Sequence, residues 1–361
     1  MNAGKKDMSE KRILMAGNEA IAEGAIQAGL KFYAGYPITP QNELTAYMAE
    51  QMPKRNNVFI QAESELAAIN MVFGASAAGV RAMTSSSSPG ISLKQEGISY
   101  MAGCRLPGVI VNMMRGGPGL GNISASQSDY FQATKGGGHG DYHIVVLAPY
   151  SVQECYDMMF DSFDLADEYR TPVMVLGDGM LGQMMEPVMF KSKTASRKPE
   201  VKKPWALTGC AGRPANIIRS LLLLDGALEE LNNTLQATYK IIQKKEQRWE
   251  EFFVEDAQVI LVAYGIMARV AKNIVQSMRA KGKAIGLIRP ITLWPFPVDA
   301  FAPLRSPKLQ YLAIEMSYGQ MVEDVKLAVE CRSPVEFLGR AGGAMPREQD
   351  IIEKIKGLLN G

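Results

Sequence analysis

Predicted strands and helices alternate along most of this chain, and this alternation limits the possible folds more than any other feature. Apolar segments at 31–37, 58–62 and 143–149 each precede a segment with helical spacing, and 107–114 is a further β-branched strand. Strands that are apolar throughout are typically buried on both faces, and strands connected through helices run parallel. The first half is therefore predicted to be α/β, with a parallel sheet covered by helices on both faces.

A second alternating series begins at residue 258 and predicts a smaller α/β domain at the end of the chain. Between the two series, residues 191–205 are basic and have no periodicity, which is typical of a linker or an extended arm. Residues 225–252 then show helical spacing of five apolar side chains: Leu228, Leu231, Leu235, Tyr239 and Ile242. We expect this helix to pack one face on the body of the protein or on another subunit.

Composition argues against several classes of protein. The formal net charge is +2, which gives no electrostatic case for binding nucleic acid or membranes. No run of 18 apolar residues occurs, and the N-terminal segment lacks a secretory apolar core, so a cytoplasmic protein is expected. Disulfides, iron–sulfur clusters and histidine metal sites are not indicated by the widely spaced cysteines and two histidines: Cys104, Cys155, Cys210, Cys331, His139 and His143.

Unusual segments follow four of the predicted strands at the point where each strand ends. They are YPITPQ (36–41), AESE (62–65), TSSSSPG (84–90) and RGGPGLGN (115–122). Ligands of open parallel sheets bind beyond the carboxyl ends of the strands. The shared placement of these segments therefore predicts a ligand site at that edge.

The two acids of the second segment allow two interpretations. Ser64 is a good N-cap residue and would place Glu65 in the first turn of a helix, where an acid favours the helix dipole. Alternatively, the carboxyl group lies in an apolar pocket and exchanges a proton with a ligand nitrogen. The local pattern leaves both interpretations open, and Glu63 is expected to be solvated in the first.

The other segments are also ambiguous. TSSSSPG fits either an anion or cofactor site or a polar turn, and RGGPGLGN matches neither the dinucleotide fingerprint nor the P-loop. A mobile loop is predicted from there to residue 141. Arg115 could clamp a substrate carboxylate or form a surface or intersubunit salt bridge. His139 could act as an acid or base, although a turn histidine bonded to backbone is favoured.

Taken in order, these segments resemble the alpha subunit of the 2-oxoacid:ferredoxin oxidoreductases, which use thiamine diphosphate. The resemblance covers nearly the whole chain and rests on GNEAIAEGA (17–25), AGYPITP (34–40), the ESE acids, SSSSPGISLKQEGISY (85–100), LPGVIVNMMRGGPGLGN (106–122) and QSDYFQATKGGGHGDYH (127–143). The SSSSPG and GGPGLGN segments are most similar to the branched-chain (2-oxoisovalerate) members.

This resemblance implies a multi-subunit enzyme that oxidises a 2-oxoacid with coenzyme A to acyl-CoA and carbon dioxide and reduces ferredoxin. It implies a pyrimidine-binding domain at 1–190, a linker and amphipathic helix at 191–255, and a transketolase C-terminal-like domain at 256–361. Thiamine diphosphate would be shared with a beta subunit that holds the diphosphate and Mg²⁺. Iron–sulfur clusters would lie on gamma and ferredoxin-like subunits, in a dimer of hetero-oligomers. GDGM (177–180) lacks the downstream Asn of the family's diphosphate motif, so it is not expected to bind the diphosphate.

The resemblance also implies roles for individual residues. Glu65 matches the glutamate whose carboxyl group bonds to the aminopyrimidine ring and stabilises its imino tautomer. Thr39 and Arg115 match positions that contact the substrate carboxylate or carbonyl. Glu63 would be a supporting or surface residue. Contacts to the cofactor would also come from the SSSSPG segment, through Ser88, Pro89 and Gly90.

Two alternatives to the branched-chain enzyme remain. One is a 2-oxoglutarate- or pyruvate-specific member of the same family. The other is a non-catalytic scaffold subunit that has kept the fold and lost the cofactor. A scaffold has no need of Glu65, Thr39 and Arg115, so their presence favours an enzyme.

Overall fold

A computed structural model of the protein describes residues 12–191 and 201–360. Most of the basic segment that is predicted to be a linker, residues 192–200, lies outside the described residues. Up to that gap the elements are β1 (Arg12–Ala16), α1 (Gly17–Gln27), β2 (Phe32–Gly35), α2 (Asn42–Lys54), β3 (Val58–Gln61), α3 (Glu65–Ala77), β4 (Ala82–Ser86), α4 (Ser88–Gly103), β5 (Gly108–Met114), α5 (Tyr130–Thr134), β6 (Val145–Leu147), α6 (Val152–Tyr169), β7 (Pro172–Asp178), α7 (Gly179–Gln183) and β8 (Met185–Met189).

After the gap the elements are α8 (Ala227–Lys245), β9 (Trp249–Phe252), β10 (Val259–Val262), α9 (Gly265–Arg279), β11 (Ile285–Pro290), β12 (Thr292–Trp294), β13 (Gln310–Glu315), α10 (Met321–Ala328), β14 (Val335–Gly339) and α11 (Glu348–Asn360). Two 3₁₀ turns, Val298–Ala300 and Ala302–Leu304, lie between β12 and β13.

The larger sheet has seven strands in the order β12-β6-β7-β5-β4-β2-β3, and all but β12 run parallel. Side chains of β5 alternate between its two faces. Val109 and Val111 join the core beneath α1, α2 and α6, whereas Ile110 joins the core beneath α3 and α4. The predicted parallel sheet with helices on both faces is confirmed.

The smaller sheet has the order β14-β13-β10-β11-β9. Its first four strands are parallel, as the second alternating series predicts, and β9 pairs antiparallel with β11 at the edge. Helix α9 buries Ile274 and Val275 in the core of this sheet. The prediction of a second α/β unit is therefore confirmed.

Two strand pairings join distant parts of the chain and have no counterpart in the predictions. Strands β1 and β8 form a separate antiparallel ribbon. Strand β12, from the second half of the chain, pairs antiparallel with β6 and so completes the larger sheet. The two halves are therefore joined by backbone hydrogen bonds as well as by side chains.

Helix α8 occupies the region predicted to be an amphipathic helix, and it packs on the body of the protein. Leu235, Tyr239 and Ile242 are buried, and the Tyr239 ring meets Trp294 edge to face with ring centres 5.6 Å apart. Leu228, which the helical spacing places on the same face, is 50% exposed. The packed face therefore covers the later turns of the helix but not its first turn.

No helix of the described part of the chain is long and apolar enough to cross a membrane. Residues 12–191 and 201–360 also contain no group of three or more His, Cys, Asp or Glu side chains placed to hold a metal ion. The cysteines are free thiols, of which Cys104 and Cys155 are buried and Cys210 and Cys331 are exposed.

Candidate active site

The four unusual segments lie together because they follow neighbouring parallel strands. Strands β3, β2, β4 and β5 are adjacent in the larger sheet and run in one direction, so their carboxyl ends share an edge. Hydrogen bonds connect the segments directly: Arg115 donates to the Thr39 carbonyl at 3.0 Å, and its backbone N–H donates to the Ser88 hydroxyl at 3.0 Å. The structure therefore brings together the segments that the sequence places at strand ends.

The two acids after β3 have opposite environments. Ser64 caps α3 by accepting a hydrogen bond from the Ala67 N–H at 3.1 Å, which starts the helix at Glu65. Glu65 is only 6% exposed, whereas Glu63 lies outside the helix and is exposed. The helix that Ser64 caps therefore directs the Glu65 carboxyl group inward, and the Glu63 carboxyl group stays in solvent.

Gly90 in the first turn of α4 lets the Glu65 carboxyl group and the Ser86 hydroxyl lie close against the helix. A Cβ atom on Gly90 would lie 2.6 Å from Glu65 Oε1 and 2.1 Å from Ser86 Oγ, so any side chain there would displace both groups. The Ser86 hydroxyl is buried and has no hydrogen-bond partner among the described residues. A carboxyl group and a hydroxyl that lacks a partner among these residues therefore lie side by side, and a ligand could complete their hydrogen bonds.

Ser88, predicted to contact a cofactor, is bonded within the protein. Its hydroxyl donates to Asp129 Oδ2 at 2.6 Å, and its backbone N–H donates to Asn112 Oδ1 at 3.1 Å. Asn112 Nδ2 also donates to Asp129 at 2.9 Å. Burial raises the pKa of Asp129, and the two side-chain hydrogen bonds oppose that rise. In this segment, the hydroxyls without a partner among the described residues are instead those of Thr84, Ser86 and Ser87, which were not among the predicted site residues.

Arg115 joins two of the segments through its guanidinium group. Nη1 donates to the Thr39 carbonyl and Nη2 to the Leu120 carbonyl, each at 3.0 Å. The side chain is 7% exposed, and Nε is buried without a partner among the described residues. Arg115 therefore holds the turn after β2 against the glycine-rich loop, and its Nε–H lacks a partner among the described residues.

Thr39 lies in the turn after β2, next to Arg115. It is half-buried, and its hydroxyl accepts a hydrogen bond from Asn42 Nδ2 at 3.1 Å. Beneath the turn, Gln41 is fully buried, and its Oε1 accepts hydrogen bonds from Ser85 at 2.7 Å and Thr45 at 3.2 Å. These bonds fix the position of the turn from below.

Lys94 is a further residue at this site that the sequence did not predict. It is fully buried on α4, and its ammonium group donates to the backbone carbonyl of Glu65 at 3.2 Å. Burial lowers the pKa of Lys94 to about 7, and the charge of Glu65 opposes this change. The available signal was its position four residues after Gly90, which puts both on one face of a helix.

Asp178 shows what the GDGM segment does in this chain. Its Oδ1 accepts hydrogen bonds from the N–H groups of Met180 and Leu181 at 3.0 Å, which caps α7. Its Oδ2 accepts one from the Ile266 N–H of α9 at 3.4 Å. Burial raises the pKa of Asp178 to about 6, and these three hydrogen bonds oppose the rise. The carboxyl group therefore connects the two halves of the protein.

The glycine-rich loop and its continuation contact the second α/β unit. Gln127 Nε2 donates to the Tyr264 carbonyl at 2.9 Å, and Gln127 Oε1 accepts from the Met316 N–H at 3.0 Å. The His139 side chain is exposed, and the His139 carbonyl accepts a hydrogen bond from Ser99 at 2.8 Å. That arrangement matches a turn histidine rather than a group directed into the site.

Comparison with known proteins identifies the family of the chain. Residues 23–244 match the family model described as pyruvate flavodoxin/ferredoxin oxidoreductase, thiamine diphosphate-binding, and residues 257–351 match core domain II of pyruvate:ferredoxin oxidoreductase. The chain belongs to the 2-oxoacid:ferredoxin oxidoreductase family. Residues 23–244 therefore form a thiamine diphosphate-binding domain. The chain is a subunit of an oxidoreductase.

Members of the 2-oxoacid:ferredoxin oxidoreductase family differ in their sequence identity to this chain. The chain is 50% identical to ketoisovalerate oxidoreductase subunit VorB of Methanothermobacter marburgensis, over 95% of this chain and 97% of that protein. It is 38% identical to 2-oxoglutarate synthase subunit KorA of Methanothermobacter thermautotrophicus, over 94% and 96%. A solved 2-oxoglutarate:ferredoxin oxidoreductase from Magnetococcus marinus superposes with a TM-score of 0.86 at 27% identity, over 97% of this chain and 65% of that one.

Proposed function

We propose that this chain is the alpha subunit of a branched-chain 2-oxoacid:ferredoxin oxidoreductase. The complex would convert 2-oxoisovalerate and coenzyme A to the acyl-CoA and carbon dioxide, with reduction of ferredoxin. The observation that carries the proposal is the buried Glu65 carboxyl group, which lies against Gly90 beside the Ser86 hydroxyl, a group without a partner among the described residues. The chain is more similar in sequence to the ketoisovalerate subunit than to the 2-oxoglutarate subunit, which supports 2-oxoisovalerate as the substrate.

The described residues fit the pyrimidine end of thiamine diphosphate. When bound, the cofactor supplies the thiazolium carbon that reacts with 2-oxoacids. Glu65 would hold a proton and exchange it with a nitrogen of the aminopyrimidine ring, which needs a carboxyl group in a dry pocket. Ser86 would offer a hydroxyl to the polar edge of the ring, and the backbone of Ser88, Pro89 and Gly90 would line the same turn.

Arg115 and Thr39 would bind the 2-oxoacid. The guanidinium group brings a permanent positive charge to the edge of the sheet, and its Nε remains available as a donor. The Thr39 hydroxyl accepts from Asn42 and can still donate its own hydrogen. A carboxylate with an adjacent carbonyl needs a positive charge and a hydroxyl donor, which these two residues would supply.

The diphosphate and Mg²⁺ would be held by a beta subunit, because Asp178 of GDGM is committed to three backbone N–H groups of this chain. Exposed apolar side chains beside the site support such an interface. Leu66 follows Glu65 and Leu93 precedes Lys94, and they are 45% and 57% exposed. Iron–sulfur clusters would lie on gamma and ferredoxin-like subunits, in a cytoplasmic dimer of hetero-oligomers. The proposed domains keep the bounds 1–190, 191–255 and 256–361.

The central experiment is Glu65→Gln in the complex assembled with its partner subunits. Glutamine keeps the size of the side chain but cannot exchange the proton. We expect assembly to be retained and turnover to fall by ~100-fold or more, the range for a positioned proton transfer. Unchanged turnover would remove Glu65 from the mechanism and would favour the scaffold interpretation.

The substrate is tested by comparing rates with 2-oxoisovalerate, 2-oxoglutarate and pyruvate on the same complex. The branched-chain substrate should have the highest kcat/KM. A preference for 2-oxoglutarate by about one order of magnitude, which corresponds to ~1.4 kcal/mol in transition-state binding, would replace the branched-chain assignment with that member of the family.

A further inference from the structure

Residues 215–223 form an extended surface segment that leads towards helix α8 and has the side-chain pattern of a β-strand. Their exposure alternates with a period of two residues. The outward side chains are exposed and the inward ones half-buried, in the order Ala215, Asn216, Ile217, Ile218, Arg219, Ser220, Leu221, Leu222 and Leu223. Within the described part of the chain, the backbone N–H and C=O groups of this segment have no backbone partner. The 215–223 segment is therefore a strand without a neighbouring strand.

The inward face holds the 215–223 segment against the body of the protein. Ile218 packs against the core beneath α3 and α4. Asn216 Nδ2 donates to the carbonyl oxygens of Pro204 at 2.6 Å and Ala206 at 2.9 Å. These contacts fix the extended conformation before any partner binds, which lowers the entropy cost of forming an interface.

The outward face of the 215–223 segment is mostly apolar. Ile217, Leu221 and Leu223 are 73%, 71% and 82% exposed. An extended segment that presents both unpaired backbone groups and apolar side chains to water is a template for pairing with another chain, and native proteins normally cover it. We therefore expect this face to be covered in the assembled protein.

Charged groups of both signs accompany the segment. Arg105, Arg170 and Arg219 line one cavity of about 230 Å³, and none of them forms an ion pair with a carboxylate among the described residues. Burial and, next, the charge of Arg105 lower the pKa of Arg170, as expected where positive charges are not neutralised. Glu229 and Glu230, in the first turn of α8, are exposed and likewise form no ion pair within the described part of the chain.

A second copy of this chain fits both the apolar face and the charges. Two copies of one strand pair antiparallel about a two-fold axis, so that the same surface contacts itself. Because the two chains run in opposite directions, the end of the segment in one copy lies beside its beginning in the other. The arginine Arg219 precedes the leucines and the glutamates follow them, so each copy offers acids where the other offers guanidinium groups.

We propose that the 215–223 segment is an interface between two copies of this chain, which pair as antiparallel strands through Ile217, Leu221 and Leu223. Glu229 and Glu230 of each copy neutralise the arginine cluster of the other. The inference rests on the part of the proposed function that makes the complex a dimer of hetero-oligomers, and it names the surface that joins the two halves. It does not depend on the role of Glu65.

The first test is hydrogen exchange of the full-length, unmodified chain, measured by mass spectrometry at concentrations below and above its dimerisation. Pairing would give backbone partners to about half of the N–H groups of 215–223, since alternate residues of an antiparallel strand face the neighbour. We expect their exchange to slow by ~10-fold or more in the dimer. Unchanged exchange in the dimer, or a chain that stays monomeric, would overturn the inference. Protection that appears only when other subunits are added would also overturn it, because a different polypeptide would then cover the segment.

The second test exchanges the charges. Arg219→Glu and Glu230→Arg each place like charges together at both symmetric contacts, so each variant alone should raise the dimer Kd by ~10-fold or more in sedimentation experiments. An equimolar mixture of the two variants restores opposite charges at both contacts and should dimerise with the Kd of the unmodified chain. A mixture that dimerises no better than either variant alone would overturn the inference.

The apolar face is tested with Leu221→Asp, which should also raise the dimer Kd by ~10-fold or more, because a carboxylate replaces an apolar side chain at the centre of the interface. Leu327→Asp on α10 is the matched control, since Leu327 is 69% exposed and lies outside the segment. Equal Kd values for the two variants would overturn the inference. Glu65→Gln should dimerise normally, so a failure of the proposed chemistry and a failure of this interface are distinguishable.

Discussion

Glu65 and Asp178 are two buried carboxyl groups at the same edge of the larger sheet, and both lie at the start of a helix. Asp178 accepts hydrogen bonds from three backbone N–H groups, two from its own helix and one from α9. Within the described residues, the Glu65 carboxyl group accepts none. The neighbours of Glu65 are Gly90, the Ser86 hydroxyl and, at its backbone carbonyl, Lys94.

The difference separates a structural acid from one that is free to react. A carboxylate that is saturated with backbone donors has no lone pair directed at a ligand, and moving its proton would disturb the fold. A buried carboxyl group without such donors is costly unless a ligand completes its hydrogen bonds. Burial alone therefore does not mark the reactive acid; the number of fixed donors does.

The strongest test of the comparison places a methyl group against the Glu65 carboxyl group. In Gly90→Ala the new methyl group would lie 2.1 Å from Ser86 Oγ and 2.6 Å from Glu65 Oε1. We expect turnover to fall by ~100-fold or more, as for direct loss of the proton-transfer group, together with loss of thiamine diphosphate binding measured by calorimetry.

The matched control is Gly74→Ala on α3, because a Cβ at Gly74 meets nothing within 4 Å. It should retain full turnover and stabilise the helix by ~0.5–1 kcal/mol. Cofactor binding by Gly90→Ala equal to that of the unmodified protein would show that the groups beside Gly90 do not bind the cofactor.

In its hydrogen bonding, Arg115 is intermediate between the two acids. Its terminal nitrogens donate to backbone carbonyls, whereas its Nε has no partner among the described residues. In Arg115→Lys the charge remains, but a single ammonium group cannot reach both the Thr39 and Leu120 carbonyls. Loss of one charge-assisted hydrogen bond, about 1.5 kcal/mol, predicts a ~10-fold rise in KM for the 2-oxoacid. Steady-state kinetics measures this effect.

Arg347→Lys serves as the control for the arginine substitution, since Arg347 is exposed and bonds to Asp350 on the surface. Its KM should equal that of the unmodified complex. A normal KM in Arg115→Lys as well would contradict a substrate-binding role for Arg115 and would leave it a purely structural link.

Substitution of Asp178 should change the stability of the fold rather than the turnover of the enzyme. Burial raises its pKa from 3.8 to about 6, so the folded protein binds this proton more tightly than the unfolded chain does. Asp178 therefore stabilises the fold fully below about pH 4, and that contribution, about 3 kcal/mol, is lost as pH rises through 6. Asp178→Asn should abolish this slope in chemical denaturation and leave turnover at neutral pH unchanged.

Asp225→Asn, at an exposed aspartate, should keep the pH slope of the unmodified protein. If Asp178→Asn instead removed turnover while the fold stayed intact, Asp178 would belong with Glu65, and the distinction between a saturated and a reactive carboxyl group would be wrong.

The smallest effect is expected for Glu63→Gln. Glu63 is two residues from Glu65 but is exposed, so loss of its charge should leave turnover, cofactor affinity and stability unchanged. Turnover is measured beside that of Glu65→Gln under identical conditions. A large loss in Glu63→Gln would show that proximity to the site, rather than burial, decides which acid matters.

Much of the fold was predictable because the elements that line the site are local. Strand β5 and helix α6 carry their apolar pattern in consecutive residues, and the Ser64 cap fixes where α3 begins. The pairing of β12 with β6 was not predictable, since three residues near position 292 must find a strand near position 146. Such a pairing depends on how the two halves pack, which no local pattern records.

The site divides in the same way. Strand ends predicted that Thr39, Glu65, Ser88 and Arg115 would meet, because parallel neighbours share an edge. The hydrogen-bond partners of the polar groups were not predictable. Ser88 donates to Asp129, and Arg115 donates to the Thr39 and Leu120 carbonyls. These bonds depend on loop conformations that form only after the strands are in place.

By itself, the sequence determined the α/β alternation, the edge at which the site lies and the family to which the chain belongs, because each is written in short segments. Only the tertiary structure decided that Glu65 is buried while Glu63 is not, that Asp178 is saturated, and that Lys94 lies against Glu65. The physical reason is that burial and hydrogen-bond saturation are properties of packed neighbours, and the neighbours of α3 are supplied mainly by α4, β2 and β4.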